Sequence, residues 1–158
     1  MLDIGCGTGQ YAIYCALRGW TVTGVDIVGR ALETARRNAD RAGAKARFVQ
    51  ADIASPGATE LGAGYALLLD VGCLHGLRDG PLQRAVATIT DAAEPGAILL
   101  MLAFGPGYRG PAPRGIDPAR IPALFPQWQL ASRRPAIDVT PGRPVPKAAA
   151  AWYQLIRQ

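Results

Sequence analysis

Apolar residues along the first two thirds of the chain follow two alternating patterns. Short runs that are β-branched or continuously apolar alternate with stretches whose apolar residues recur every three or four positions. Runs of the first kind predict strands, and stretches of the second kind predict helices. Their alternation is typical of βαβ units around a parallel sheet. The predicted strands are 1–4, 20–26, 45–52, 65–70 and 96–104, and the predicted helices are 9–18, 29–44 and 80–94.

Glycines and a proline mark the boundaries of these helices. Gly19 follows the first helix and Gly43 closes the second, as expected of residues that end helices. Pro81 stands near the first turn of the third helix, where its missing N–H costs nothing.

Residues 105–147 follow another pattern, because they hold ten of the thirteen prolines. They predict little regular structure except a short helix over 117–125, where Asp117 can cap and Pro118 can take the first helical position. Two closing strands, 128–139 and 148–158, predict a final hairpin. We interpret 105–147 as a proline-rich loop region over the site, within a single domain spanning 1–158.

Composition indicates a folded domain rather than a disordered or membrane-spanning chain. Of 158 residues, 49% are hydrophobic and 18% are charged, and the longest apolar runs are too short to cross a bilayer. The N-terminus carries no secretory signal pattern. Cys6, Cys15 and Cys73 lack metal-ligand spacing, so reduced thiols in the cytoplasm are the simplest interpretation, and no metal site is predicted.

The net charge of +5 is concentrated in the second half of the chain, where residues 81–158 carry nine basic and four acidic side chains. Such an excess suits a nucleic acid, an anionic substrate or a merely solvated surface. The arginines are scattered among prolines without the interleaved aromatic residues of a base-stacking surface. The pattern therefore favours a solvated face and argues against a nucleic-acid partner.

The strongest chemical signal is the segment "LDIGCGTG". Gly5, Gly7 and Gly9 allow a tight turn from strand to helix and a close approach of a ligand to the backbone. Asp26 ends the second predicted strand, and Asp52 follows the third. Because the carboxyl ends of parallel strands meet at one edge of a sheet, these groups predict a nucleotide site with Asp26 on the ribose hydroxyls.

The glycine spacing distinguishes between nucleotides. It is G-x-G-x-G, whereas the dinucleotide fingerprint is G-x-G-x-x-G, so a nicotinamide-dependent oxidoreductase is disfavoured. Together with Asp3, "LDIGCGTG" resembles motif I of the class I S-adenosylmethionine-dependent methyltransferases. The resemblance continues through "GVDIVGRALETAR", "ADI", "YALLLDVGCLHGL" and "AWYQLI", and so covers nearly the whole chain.

The resemblance implies a fold, a cofactor and a set of contacts. The fold is α/β: a Rossmann-like, doubly wound, seven-stranded sheet in three αβα layers, mostly parallel with an antiparallel last strand. The cofactor is S-adenosyl-L-methionine, and S-adenosyl-L-homocysteine is its product. The implied contacts are Asp3, Gly5, Cys6, Gly7, Thr8 and Gly9 with the methionine end, Asp26 with the ribose, Ile27, Asp52 and Ile53 with the adenine, and Asp70, Val71 and Gly72 beneath the sulfonium.

The stretch "LDVGCLHGL" resembles a D-x-G-x-x-H segment of small-molecule methyltransferases of the thiopurine and tellurite-resistance type. It implies a small-molecule acceptor. His75, the only histidine, is either a base that takes a proton from the acceptor or a residue that orders its loop. Cys73 is interpreted as a small packing residue rather than a nucleophile.

In this family a helical segment usually precedes motif I and covers the cofactor, whereas here motif I begins the chain. We expect the site to be covered by the loops 72–80 and 105–126, with Arg109 and Arg114 as anion contacts, or by a second copy or a partner. The expected function is S-adenosylmethionine-dependent methyl transfer to a small molecule. The alternative is a methyltransferase-like binding module without transfer activity, as a partner subunit or a repurposed enzyme.

Overall fold

The computed structural model describes residues 1–55, 59–106, 114–136 and 150–158. Within these ranges, seven strands form one sheet in the order β3-β2-β1-β4-β5-β7-β6. The strands are β1 Leu2–Ile4, β2 Val22–Asp26, β3 Ala46–Gln50, β4 Tyr65–Val71, β5 Ala93–Phe104, β6 Trp128–Pro135 and β7 Ala150–Arg157. The helices are α1 Gln10–Ala16, α2 Gly29–Ala42, α3 Asp79–Ala92 and α4 Ile121–Leu124, and short 3₁₀ turns cover Thr59–Leu61, Leu74–Gly76 and Pro118–Arg120.

Strands β1 to β5 run parallel, and β7 lies antiparallel between β5 and β6. The predicted doubly wound sheet with an antiparallel last strand is therefore confirmed. From β1 the chain builds outward through β2 and β3, and then returns to add β4 on the other side of β1. This reversal creates a crevice at the carboxyl ends of β1 and β4, which is where open α/β sheets bind ligands.

Apolar side chains fill both sides of the sheet. On one side α3 and α4 bury Ile89 and Ile121 against Ile4 and Leu99. On the other side the buried stripe of α2, with Leu32 among its residues, packs with α1 against β2 and β3. Asp3 falls between the inward-facing Leu2 and Ile4, and its side chain meets α1 instead. Alternation along β1 thus delivers a carboxylate to the α1 side of the sheet.

The boundary between α3 and β5 differs from the prediction. Helix α3 ends at Ala92, and β5 begins at Ala93 rather than at Gly96. Ala93 pairs with Tyr65, and the register then shifts before Leu67 pairs with Ile98. This irregularity allows the strand to include Pro95 and Gly96, two residue types that usually favour a turn.

The proline-rich region 105–147 is partly described. The predicted cap is confirmed, since the Asp117 carboxylate accepts a hydrogen bond from the N–H of Ala119 at 2.9 Å. The N–H groups of Gly115 and Ile116 donate to the carbonyls of His75 and Phe104. This segment therefore lies at the carboxyl ends of β4 and β5. The prediction for Arg109 and those for the inner ends of the final hairpin fall outside the described residues.

Within the described ranges, no helix is long and apolar enough to span a membrane.

Candidate active site

The turn between β1 and α1 is built from left-handed backbone. Gly5, Gly7 and Gly9 have φ angles of 65°, 53° and 83°, a region that other residues rarely adopt. A Cβ on Gly5 would lie 2.6 Å from the Cβ of Cys73, and a Cβ on Gly9 would lie 3.0 Å from that of Ala35. A Cβ on Gly7 would meet nothing within 4 Å. The turn is therefore closely packed at its ends and open at its centre, where a ligand can approach the backbone.

Asp26 joins this turn to the end of β2. One carboxylate oxygen accepts from the N–H of Gly7 at 2.8 Å, and the other accepts from the N–H of Val28 at 2.9 Å. Each oxygen retains a lone pair, because a carboxylate accepts up to about four hydrogen bonds. The side chain is therefore fixed in place while it keeps capacity for hydroxyl donors.

A cavity of about 140 Å³ opens between these strand ends. Most of its wall is apolar, with two carboxylates on one side. Ile27 is 61% exposed beside it, although it is a large apolar side chain. Exposed apolar surface next to acceptor groups suits a ligand with an aromatic face and hydroxyls. The lining residues are Gly5, Val25, Asp26, Ile27, Ala51, Asp52, Ile53, Cys73 and Leu77.

Asp52 and Ile53 form the β3 side of the cavity. The Asp52 carboxylate accepts from the N–H of Ala54 at 2.9 Å and from the hydroxyl of Ser55 at 3.2 Å. It therefore caps its own turn while lining the cavity. The structure brings both residues to Asp26, as predicted from their strand positions, and their contact with an adenine stays a prediction.

Asp3 lies beneath the turn and is only 2% exposed. Its carboxylate accepts from the N–H of Ala12 in α1 at 3.0 Å. Burial raises its pKa to about 6, and the negative charge of Asp26 acts in the same direction. A bound ammonium group beside it would favour the ionised form. The predicted contact with the methionine end of a cofactor is consistent with this position and stays a prediction.

Asp70 ends β4 and is fully buried. One oxygen accepts from the N–H groups of Cys73 and Leu74 at 2.9 and 3.1 Å. Among the described residues the other oxygen has no hydrogen-bond partner. Burial raises the pKa of this carboxyl to about 7. Asp70 therefore holds the loop after β4 in place, and Val71 and Gly72 are the more accessible part of the segment predicted to lie beneath the sulfonium.

His75 lies inside that loop and is 1% exposed. Its Nδ1 accepts from the backbone N–H of Phe104 at 3.2 Å, and the two rings meet edge to face at 5.1 Å. Burial lowers the pKa of the imidazole, against a smaller opposing effect of the Leu102 backbone. This arrangement favours the loop-ordering alternative, because a base needs access to the acceptor. The catalytic role of His75 stays a prediction.

The two cysteines beside the glycine turn are packing residues in this structure. Burial raises the pKa of both Cys6 and Cys73 to about 12, so neither thiol is activated as a nucleophile. A Cβ on Gly24 would lie 2.8 Å from the sulfur of Cys6. Gly24 leaves room for the Cys6 side chain at the glycine turn, and it was not among the predicted residues, although a glycine inside a β-branched strand indicates a close approach.

Thr8 and Leu77 complete the surroundings. The carbonyl of Thr8 accepts from the Asn38 side chain at 3.1 Å, which ties the turn to α2. Leu77 lines the cavity and was also not predicted, since nothing in the sequence distinguishes it from a core leucine.

The site fits the cofactor that the resemblance implies. A ligand can approach the backbone at Gly7, and the Asp26 carboxylate can accept hydrogen bonds from ribose hydroxyls. Ile27 offers an apolar surface for a base, and Asp3 a carboxylate for an ammonium.

Comparison with known proteins gives three kinds of relative. The chain is 33% identical over 123 residues to a 2-heptyl-1-hydroxyquinolin-4(1H)-one methyltransferase of Mycobacteroides abscessus, covering 72% of this chain and 52% of that protein. It is 36% identical over 129 residues to a ribosomal protein L11 methyltransferase of Dechloromonas aromatica, covering 81% and 37%. Over 42 residues it is 50% identical to an S-adenosyl-L-methionine-dependent Diels-Alderase of Talaromyces variabilis, covering 27% and 14%. The chain thus spans about half or less of the length of these relatives.

Solved structures share the fold. An S-adenosylmethionine-dependent methyltransferase of Methanosarcina mazei superimposes with a TM-score of 0.83 at 18% identity, covering 99% of this chain and 91% of that one. A 1,6-didemethyltoxoflavin-N1-methyltransferase of Burkholderia thailandensis, solved with its acceptor and S-adenosylhomocysteine, gives 0.75 at 24% identity, covering 99% and 69%.

Residues 1–96, more than half of the chain, match the family described as "Methyltransferase domain". This range contains the glycine turn, Asp26, Asp52 and Asp70. The chain therefore belongs to the S-adenosylmethionine-dependent methyltransferase family.

Proposed function

We propose that this chain transfers a methyl group from S-adenosylmethionine to a small-molecule acceptor. The observation that carries the proposal is the cavity at the carboxyl ends of β1, β2 and β3, which joins an open glycine turn to the carboxylates of Asp26 and Asp52. The family membership supports the cofactor. The cytoplasm, predicted from the cysteines, remains the proposed location.

Two observations support a small acceptor over a macromolecule. The loop "LDVGCLHGL" carries the small-molecule resemblance, and the relative from Mycobacteroides abscessus methylates a quinolone, according to its name. The relative that acts on ribosomal protein L11 is the reason to include a protein acceptor in any test.

The chemistry requires orientation more than acid–base groups. Bound S-adenosylmethionine supplies a methyl group on a positive sulfur that is a good leaving group. The acceptor would take this methyl group with its own lone pair, S-adenosylhomocysteine would leave as a neutral thioether, and any acceptor proton would pass to solvent. Asp26 and the glycine turn would hold the nucleoside, and the loop held by Asp70 would exclude water beside the reacting atoms.

Titration calorimetry with S-adenosylmethionine, S-adenosylhomocysteine and NAD tests the cofactor. We expect the two sulfur nucleotides to bind at one site and NAD not to bind. Absence of binding by both sulfur nucleotides would contradict the proposal. An acceptor panel containing 2-heptyl-1-hydroxyquinolin-4(1H)-one, a thiopurine and ribosomal protein L11 then tests turnover, measured as S-adenosylhomocysteine formed.

A second candidate is cofactor binding without methyl transfer. It is favoured by the burial of His75, which leaves no exposed base at the predicted methyl position among the described residues, and by the Diels-Alderase that matches 42 residues. Binding of S-adenosylhomocysteine with no turnover on the whole panel would favour this candidate.

A further inference from the structure

A second cavity, of about 560 Å³, lies beside the cofactor cavity, and Leu77 lines both. One wall is the start of α3, and the other is the segment from Arg114 to Leu124. Hydrogen bonds from Gly115 and Ile116 attach this second wall to the carboxyl ends of β4 and β5. We call this space the α3 cavity.

The α3 cavity has an apolar floor and a charged rim. The floor is formed by Leu77, Leu82, Ile116 and Leu124, of which the last three are buried. The rim carries five charged side chains, three basic and two acidic: Arg78, Arg114, Arg120, Asp79 and Asp117. Such a floor suits a small apolar body, and the rim would select by charge.

Contacts within the rim engage both acids. Arg120 lies 3.2 Å from the Asp79 carboxylate, and the Asp117 carboxylate caps its turn through Ala119. Arg78 and Arg114 make no ion pair with the described residues. The rim therefore has a net charge of +1 and offers two guanidinium groups, which bind carboxylates and phosphates through paired N–H donors.

We propose that the α3 cavity binds the methyl acceptor, and that it selects molecules with a small apolar body and one carboxylate or phosphate group held by Arg78 and Arg114. The inference rests on the proposed function, since the shared Leu77 makes this cavity the neighbour of the cofactor site. It gives Arg114, which belongs to the basic excess of residues 81–158, a role in substrate binding together with Arg78.

Four probes on one ring test the selection by charge: benzoate, phenyl phosphate, benzamide and benzamidine. Each is titrated into the full chain, with and without S-adenosylhomocysteine, and followed by ligand-observed NMR. We expect benzoate and phenyl phosphate to bind at least tenfold more tightly than benzamide, and benzamidine to bind no better than benzamide. Equal binding of benzoate and benzamide, or tighter binding of benzamidine, overturns the proposal.

Variants locate the binding at the rim. Arg78→Gln and Arg114→Gln should each weaken benzoate binding at least threefold, and the double variant about tenfold. Asp79→Asn should strengthen it at least twofold, because it removes a negative charge and releases Arg120. Arg41→Gln and Asp91→Asn, exposed on α2 and α3 away from the cavity, are matched controls and should change nothing. Unchanged benzoate affinity in the double variant overturns the assignment.

The two proposals fail separately in this design. A wild-type protein that binds benzoate selectively but not S-adenosylhomocysteine contradicts the proposed function and, with it, the acceptor role of the cavity. A protein that binds S-adenosylhomocysteine but shows no preference among the four probes overturns the inference about the α3 cavity and leaves the proposed function standing.

Discussion

Asp26 is the side chain on which the site depends most directly. It accepts hydrogen bonds from two backbone N–H groups, one in the glycine turn and one after β2. We predict that Asp26→Ala weakens S-adenosylhomocysteine binding at least tenfold, since it removes a charged acceptor worth about 1.5–3 kcal/mol. Calorimetry measures the change, and Asp40→Ala on the exposed side of α2 is the control. A folded Asp26→Ala protein with unchanged affinity would show that the ribose assignment is wrong.

Two separate constraints exclude a side chain at Gly5: its backbone conformation and its contact with Cys73. Its φ of +65° disfavours any side chain, and a Cβ there would lie 2.6 Å from the Cβ of Cys73. We predict that Gly5→Ala lowers the free energy of unfolding by about 2–5 kcal/mol, as the sum of left-handed strain and overpacking. Urea denaturation measures this loss.

Gly64→Ala is the matched control for Gly5→Ala, because Gly64 has a φ of +81° and open space around it. Gly64→Ala should lower the free energy of unfolding only by the contribution of left-handed backbone strain. Adding Cys73→Gly to Gly5→Ala should recover the overpacking part. A double variant no more stable than Gly5→Ala would contradict the steric explanation.

At the scale of elements, the loop after β4 is held by buried polar groups at both ends. Asp70 accepts from its first N–H groups, and the imidazole of His75 packs against Phe104 on β5. The carbonyl of His75 also receives the N–H of Gly115. Leu77 at the end of this loop lines both the cofactor cavity and the α3 cavity, so the rigidity of the loop affects both.

The two roles considered for His75 predict different pH profiles. If His75 orders the loop, His75→Ala leaves a cavity in a buried site and should lower the melting temperature and the turnover at every pH. The pH dependence of kcat should keep its shape. Loss of an ionisation between pH 5 and 8 in the variant would instead establish the base role. The turnover assay of the acceptor panel supplies the measurement.

At the scale of the whole molecule, two buried carboxyls make stability depend on pH. Burial raises the pKa of Asp70 to about 7 and that of Asp3 to about 6, above their values in the unfolded chain. The native state therefore holds these protons more tightly than the unfolded state. Their contribution to stability is fully present below about pH 4 and is lost as the pH rises through 6 and 7.

We predict that Asp70→Asn flattens this dependence. The amide oxygen can still accept from Cys73 and Leu74, but the group no longer titrates. Between pH 5 and pH 8 the melting temperature of the variant should decrease less than that of the wild type. For a chain of this size, a loss of about 1 kcal/mol in stability lowers the melting temperature by roughly 2–4 °C. Asp91→Asn, at an exposed position near the end of α3, should leave the decrease unchanged. Parallel curves for Asp70→Asn and the wild type would contradict the prediction.

The sequence by itself determined the sheet, its order of elements and the residues at the strand ends. Hydrophobic periodicity is a local property, and the carboxyl ends of parallel strands must meet, so Asp26 and Asp52 could be placed together without coordinates. The spacing of Gly5, Gly7 and Gly9 likewise specifies a turn through backbone conformation alone.

Only the tertiary structure decided how each side chain is used. Whether His75 is exposed depends on β5 and on the segment at Gly115, which are distant in sequence. Packing between segments that are distant in sequence also decides three other features. It places Leu77 in the walls of both cavities, pairs Arg120 with Asp79, and brings the Cys6 side chain against Gly24. Local sequence patterns specify which side chains reach the crevice. The burial of each side chain and its hydrogen-bond partners set its pKa and its exposure, and both follow from contacts between residues that are distant in sequence.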